Sequence, residues 1–125
     1  MGKIYTGYFA GNGQWPDGAY PIGITRFPPK TWYGVNWSAL APSEELLRSY
    51  QNKQIDEYIF KLRYIKELED KLLTPEAVRR ELEKISDTVL GGGDIVLCCY
   101  EKPEDFCHRH ILAEWLGDDI TETRK

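Results

Sequence analysis

The sequence predicts a small α/β domain with a mainly parallel sheet of three to four strands packed with helices. Three observations support this class. Two strand-like segments come first, a long stretch of helical patterns follows them, and a fully apolar run of strand length returns near residue 95 before a last helical pattern. Parallel strands need crossover connections, and helices usually supply them. The 125 residues are the size of one ordinary domain, so we expect a single α/β domain over residues 1–125.

The first third of the chain supplies two strands and an aromatic loop. Residues 3–10 are rich in aromatic and β-branched side chains and end at the glycines of residues 11–13, which is typical of a first strand. Residues 19–26 predict a second strand, with Pro21 near its beginning. Residues 30–42 have neither strand nor helix period. Aromatic side chains in a loop either cap the core or line a site, and we expect capping, the commoner use; the residues are Trp32, Tyr33 and Trp37.

Three helices are predicted in the middle of the chain. Ser43 precedes two glutamates, so a helix should begin at about residue 44. A second helix is indicated by apolar residues spaced three and four apart. Thr74 as N-cap and Pro75 at the first helical position begin the third. The predicted buried faces are Leu46, Leu47 and Tyr50, then Ile55, Tyr58, Ile59, Leu62 and Ile65, then Val78, Leu82 and Ile85.

The last third contains the central strand and the last helix. Residues 95–100 form an apolar run that is typical of a strand covered on both faces. A helical pattern follows and ends at Gly117; its apolar residues are Ile111, Leu112, Trp115 and Leu116. Residues 120–123 are a candidate short edge strand.

Composition excludes several functional classes. A net charge of -4 argues against coating of duplex nucleic acid, and no apolar run reaches the length of a membrane span. Three cysteines, two of them adjacent, favour reduced thiols and a cytoplasmic protein over an exported one. Residues 1–42 nevertheless carry only Asp17 against three basic residues, so a local cationic pocket is compatible with the acidic total.

The candidate site is the corner between the strand near residue 95 and the last helix. Ligands of open α/β sheets bind beyond the carboxyl ends of the strands, where Arg26 and Glu101 each end a predicted strand. Cys107, His108 and Arg109 begin the following helix, and a helix start attracts anions and lowers the pKa of a nearby thiol. We therefore predict an anionic ligand, nucleotide-like or the end of a nucleic acid.

Other interpretations of these residues remain open. In a thiol-dependent hydrolase or transferase, Cys107 would attack while Glu101 or His108 moved protons. Neighbours on a helix point about 100° apart, which weakens a direct dyad of Cys107 and His108. Cys98 is expected to be a core residue, and the role of His110 is undecided. A protein-interaction module of a defence or regulatory system is the third alternative.

We predict no metal and no cofactor. A site of Cys107, one histidine and Cys98 or Cys99 is conceivable, but the spacing matches none of the strong zinc patterns.

The same stretch resembles a known family. The run of residues 96–101, followed by Pro103 and then by residues 107–116, is similar to the signature of the domain of unknown function 488: an apolar strand ending in Cys-x-Glu, a short loop, Cys-His-Arg and an apolar helix. The matching positions are Cys99, Glu101, Cys107, His108 and Arg109. The resemblance implies a small α/β protein of unassigned activity in which these residues share a site, and it adds Cys99 to Arg26 and Arg109 as predicted ligand-binding residues.

Overall fold

The computed structural model describes residues 2–10, 15–32, 34–71, 73–89, 91–101 and 105–123. Five strands lie in these ranges: β1 Ile4–Tyr8, β2 Tyr20–Gly23, β3 Val35–Asn36, β4 Ile95–Cys99 and β5 Thr121–Glu122. The four α-helices there are α1 Glu44–Gln51, α2 Glu57–Asp70, α3 Pro75–Val89 and α4 His108–Leu116. The strand order is β3-β2-β4-β1-β5, with every neighbouring pair parallel. The predicted α/β class is confirmed, with five strands in place of three to four.

The central strand is β4, which pairs with β1 on one side and β2 on the other. All five of its residues are buried, because its apolar side chains are covered on both faces of the sheet. This confirms the central strand that the apolar run near residue 95 predicts. Tyr100, which the prediction included in the strand, lies just beyond it and is 51% exposed.

The additional strand is β3, inside the segment that the sequence predicts as a loop. It has only two residues, paired as Ile22 with Val35 and Gly23 with Asn36, and two residues are too few to show an alternating pattern. Trp37 packs against the core as expected, whereas Trp32 lies edge-on to Phe9 with ring centres 4.9 Å apart and lines a separate cavity. Tyr33 lies outside the described residues.

Side-chain caps fix the starts of α1, α2 and α3. The hydroxyl of Ser43 accepts a hydrogen bond from the backbone N–H of Leu46 at 3.1 Å, and that of Thr74 accepts one from Ala77 at 3.1 Å. Both predicted starts are confirmed. The cap of α2 is Asp56, whose carboxylate accepts a hydrogen bond from Ile59 at 2.9 Å. Each cap satisfies a backbone donor that the first turn of a helix leaves without a partner.

The buried face predicted for α2 is only partly right: Ile65, and Ile55 just before the helix, pack against the core, but the face is centred on other residues. Its fully buried residues are Phe60, Tyr64 and Leu68, whereas Tyr58 is 65% exposed and Leu62 48% exposed. Apolar residues surround most of this helix, so spacing alone supports two competing faces. The face with Phe60 and Tyr64 is buried because it fills the space between α1, α4 and the sheet. There Phe60 packs against the rings of Tyr50 and Phe106.

The C-terminal segment forms one edge of the sheet. The candidate edge strand is confirmed as β5, which pairs with β1 through Tyr5 and Thr6. The hydroxyl of Thr6 donates to the carboxylate of Glu122 at 2.7 Å, so Glu122 is held over the sheet at the start of the chain's charged end. Within the described ranges, no helix is long and apolar enough to cross a membrane.

Candidate functional site

Three of the six predicted site residues meet at one cavity of about 510 Å³. They meet because β2 and β4 are parallel neighbours whose carboxyl ends lie at the same edge. The segments after these strands contribute Arg26 and Glu101, α4 contributes His108, and one face of α1 completes the wall. We call this space the corner cavity. Its polar and aromatic lining includes Arg26, Glu44, Arg48, Tyr100, Glu101 and His108.

Arg26 is the cation of the corner cavity that is not paired with any carboxylate of the described residues. It is exposed, and its guanidinium carbon lies 5.5 Å from the centre of the Phe27 ring. No carboxylate in the described ranges lies within ion-pair distance of Arg26. The second cation, Arg48, pairs with Glu44 one helical turn away at the surface. Arg26 therefore keeps its donors available to a ligand.

Arg109 is directed into the protein. Its Nε and Nη2 donate to the two carboxylate oxygens of Glu122 at 3.1 and 2.8 Å. Its Nη1 donates to the backbone oxygen of Glu101 at 2.6 Å and to Sγ of Cys99 at 2.8 Å. The side chain is 0% exposed, so protein acceptors occupy this guanidinium. Arg109 can affect a ligand through the residues that it holds.

Glu122 is the counter-charge of Arg109. Burial raises the pKa of Glu122, but hydrogen bonds from Arg109 and Thr6 and the nearby positive charge outweigh it and hold the pKa below its usual value. The carboxylate therefore stays ionised beside the guanidinium, and the pair is internally neutral. No sequence pattern predicts this partner, because Glu122 lies in a short polar segment after α4.

His108 is neutral, with a defined tautomer. Its Nε2 lies 2.7 Å from the backbone oxygen of Ile24; a carbonyl can only accept, so Nε2 carries the proton. Burial lowers the pKa of His108 to about 4; the bond to Ile24 raises it and the positive charges of Arg109 and His110 lower it. The unprotonated Nδ1 lies 3.8 Å from Sγ of Cys107. His108 therefore presents a lone pair to a sulfur.

Cys107 and His108 face each other, so the prediction that they are poorly placed for a direct dyad is wrong. That prediction treats both residues as helical, but Cys107 is the N-cap of α4 with an extended backbone, φ -151° and ψ 146°. The extended conformation turns the Cys107 side chain toward the ring of the next residue. Cys107 is 3% exposed, so the fold shields this sulfur from solvent.

The expectation of three reduced thiols is also wrong for two of them. Cys99 and Cys107 are joined as a disulfide, with Cα atoms 7.7 Å apart. They meet because one ends β4 and the other begins α4. Cys98 is the free cysteine of the described ranges. It is fully buried, and burial raises the pKa of its thiol to about 12, which agrees with the predicted core role.

Cys99, Cys107 and His108 form a compact group. Their sulfur and nitrogen atoms all lie within 4.8 Å of one another, and all three residues are buried. His110 is outside this group and half-buried on α4.

Two parts of the site could not be predicted from sequence patterns: the hydrogen bond between His108 and the backbone oxygen of Ile24, and the position of Arg48 in the wall of the corner cavity. Both depend on how separate elements pack.

Comparison with known proteins identifies the family. A family model described as "Active DUF488-N3 subclade" matches residues 14–119. The match spans Arg26 and the whole corner from β4 to α4. Comparison with curated proteins found no significant match, and comparison with solved structures found none either. Since the family match covers most of the 125 residues, the chain belongs to the family of the domain of unknown function 488.

Proposed function

We propose that the chain binds an anionic, nucleotide-like ligand in the corner cavity. The observation that carries this proposal is the position of Arg26 at the same cavity as Glu101 and His108. Its guanidinium has no carboxylate partner among the residues that the structure describes. Ligands of parallel α/β sheets occupy this end of the strands. The cavity volume of about 510 Å³ is within the range that small-molecule sites usually have.

The two cations supply the attraction for an anion. Within the described ranges, Arg26 has no carboxylate to release before it binds a phosphate. Arg48 is paired with Glu44, but both side chains are more than half exposed, and such surface pairs contribute at most about 1 kcal/mol. A phosphate can therefore replace Glu44 beside Arg48 at small cost, and two arginines could hold it by charge-assisted hydrogen bonds.

The rest of the lining favours a nucleotide over a simple anion. The carboxylates of Glu44 and Glu101 at the same cavity repel a bare phosphate, but they accept hydrogen bonds from sugar hydroxyls or base amino groups. Phe27 and Tyr100 are 73% and 51% exposed and both line the cavity. Exposed rings of this kind stack on nucleobases. A ligand with phosphate, hydroxyl groups and an aromatic base matches all three features.

A thermal-shift screen tests the proposal. The probes are the mono-, di- and triphosphates of adenosine, guanosine, cytidine and uridine, with a 5′-phosphorylated oligothymidine for a nucleic-acid end. We expect at least one probe to raise the melting temperature of the wild-type protein, because a ligand that binds only the folded state stabilises it.

Two variants make the screen specific. Arg26→Ala should lose the stabilisation, whereas Arg80→Ala, which removes an exposed arginine on α3, should keep it. The proposal is wrong if no probe stabilises the wild type, or if Arg26→Ala responds as the wild type does. A response to the oligonucleotide alone would identify the ligand as a nucleic-acid end.

A second function, thiol-dependent catalysis, is favoured by the contact between His108 Nδ1 and Cys107 Sγ. In the reduced protein, a neutral histidine at this distance could take the thiol proton and leave a nucleophilic thiolate. Glu101, exposed at the same cavity, is the second acid–base group. The description of the matched subclade as active is compatible with an enzyme.

Alkylation distinguishes this second function. In the fully reduced protein at pH 7, iodoacetamide should modify Cys107 at least about tenfold faster than in His108→Ala, because the variant lacks the base. Cys98 serves as the internal control and should remain unmodified. Equal rates in wild type and variant would remove the basis of this second function.

A further inference from the structure

We propose that Cys99, Cys107 and His108 bind a zinc ion in the reduced protein. Two cysteine sulfurs and one imidazole nitrogen form a donor set that zinc prefers. Their atoms lie within 4.8 Å of one another in a buried group. This inference goes beyond ligand recognition in the corner cavity, because the ion would be held by residues other than Arg26.

The histidine is oriented as a metal ligand requires. The Nε2 proton of His108 is donated to the backbone oxygen of Ile24 at 2.7 Å, which leaves Nδ1 unprotonated and turned toward the sulfurs. Histidine ligands in proteins typically donate their second nitrogen to a carbonyl or carboxylate, and that bond fixes both tautomer and ring orientation. The Nδ1–Sγ distance of 3.8 Å is close to the roughly 3.5 Å that separates N and S ligands of a tetrahedral zinc ion.

The backbone positions of Cys99 and Cys107 leave room for an ion between their sulfurs once the disulfide is reduced. The Cα atoms of Cys99 and Cys107 are 7.7 Å apart, beyond the upper end, about 6.8 Å, of the usual range for disulfides. An ion bound between the two sulfurs would fit this larger separation of the Cα atoms. Arg109 donates to Sγ of Cys99 at 2.8 Å, and such a donor stabilises the negative charge of a metal-bound thiolate.

The site has three protein ligands and therefore one remaining coordination position. His108 also lines the corner cavity, so water or a ligand from that side can occupy the position, as in zinc sites that keep an open position. Zinc binding and the disulfide are alternative states of the same two cysteines. Binding to the reduced chain forms two zinc–sulfur bonds and one zinc–nitrogen bond and releases two thiol protons.

Metal analysis tests the proposal. The untagged full chain is purified in a phosphine reductant without chelator, supplied with zinc and dialysed, and its zinc is measured by elemental analysis. We expect roughly one zinc per chain. Cys107→Ser and His108→Ala should each lower the bound zinc at least about tenfold, whereas Cys98→Ser, a change at the adjacent buried cysteine, should retain it.

A second measurement uses only the wild type, in case a variant fails to fold. Cobalt(II) added to the reduced protein should produce thiolate-to-cobalt charge-transfer absorption together with the intense visible bands of a tetrahedral site. Absence of stoichiometric zinc and of the cobalt bands in the reduced wild type would overturn the proposal. So would equal zinc loss in Cys98→Ser and Cys107→Ser.

The zinc test is independent of ligand recognition. Arg26→Ala should retain its zinc, and the nucleotide screen can be run on zinc-free protein. Failure of one proposal can therefore be recognised while the other stands. A bound zinc ion would also protect Cys107 from iodoacetamide until a chelator is added, which is the opposite of the rapid alkylation that thiol catalysis requires.

Discussion

Arg26 and Arg109 serve the same end of the sheet, but their guanidinium groups lie in opposite environments. Arg109 is fully buried and donates to Glu122, Glu101 and Cys99. Arg26 is exposed at the corner cavity, and its guanidinium lies over the ring of Phe27. Both residues were predicted to bind one anion. In the described part of the chain, protein acceptors occupy Arg109, which we call the framework cation, whereas Arg26 is not paired with a carboxylate.

The difference shows that the hydrogen-bond partners of an arginine side chain determine whether it stabilises the fold or is available to a ligand. A buried guanidinium is stable only when carboxylates and carbonyls satisfy its donors. Once they do, it holds chain segments together: Arg109 connects α4 to β5 and to the backbone at the end of β4. An exposed guanidinium contributes little to folding, so its donors can be used for recognition. Substitutions should separate these two roles.

The largest effect is expected for Arg109→Met. The substitution keeps much of the side-chain volume but leaves the carboxylate of Glu122 without its counter-charge. Removing one member of a buried pair typically costs about 3–5 kcal/mol of unfolding free energy. Urea unfolding followed by circular dichroism measures it. A loss below about 1 kcal/mol would show that Glu122 is solvated and that Arg109 is not a framework residue.

A smaller effect, with a defined pH dependence, is expected for Glu122→Gln. At pH 7 the variant should lose about 1.5–3 kcal/mol, because it replaces charge-assisted hydrogen bonds by weaker ones. The pKa of Glu122 is lower in the folded state than in the unfolded one. The stability that its ionised form contributes is therefore present above the unfolded pKa, near 4.5, and is lost as the pH falls through the folded pKa.

Unfolding of wild type and Glu122→Gln between pH 3 and pH 7 tests this sign. The difference in unfolding free energy should be constant near neutrality and shrink in acid. A difference that stays constant down to pH 3 would mean that the carboxylate gains nothing from Arg109.

The smallest effect is expected for Arg79→Met. Arg79 on α3 makes two parallel hydrogen bonds to Asp119, at 2.9 and 2.8 Å, much as Arg109 does to Glu122. The side chain of Asp119 is 62% exposed, however, so water replaces the lost partner. We expect a loss of at most about 1 kcal/mol, and less in high salt. A loss equal to that of Arg109→Met would show that pair geometry matters more than burial.

Much of the fold could be predicted because its signals are local. The apolar run of β4 and the start of α3 at Thr74 and Pro75 follow from residue type and spacing. The meeting of Arg26 with Glu101 follows from a topological rule: the carboxyl ends of neighbouring parallel strands share an edge.

What could not be predicted depends on packing between distant segments. The two-residue strand β3 is too short to carry a pattern. The direction of Arg109 is set by Glu122, whose own position depends on the pairing of β5 with β1. The meeting of Cys99 with Cys107 depends on the extended N-cap conformation of Cys107, and helical spacing does not predict that conformation.

Isothermal titration calorimetry tests the central claim, that Arg26 binds the ligand whereas Arg109 is the framework cation. The nucleotide that stabilises the wild type most strongly is titrated into wild type, Arg26→Ala and Arg80→Ala. We predict that Arg26→Ala changes the unfolding free energy by no more than about 0.5 kcal/mol and raises the Kd at least about tenfold, while Arg80→Ala matches the wild type. Equal Kd values in wild type and Arg26→Ala would contradict the account.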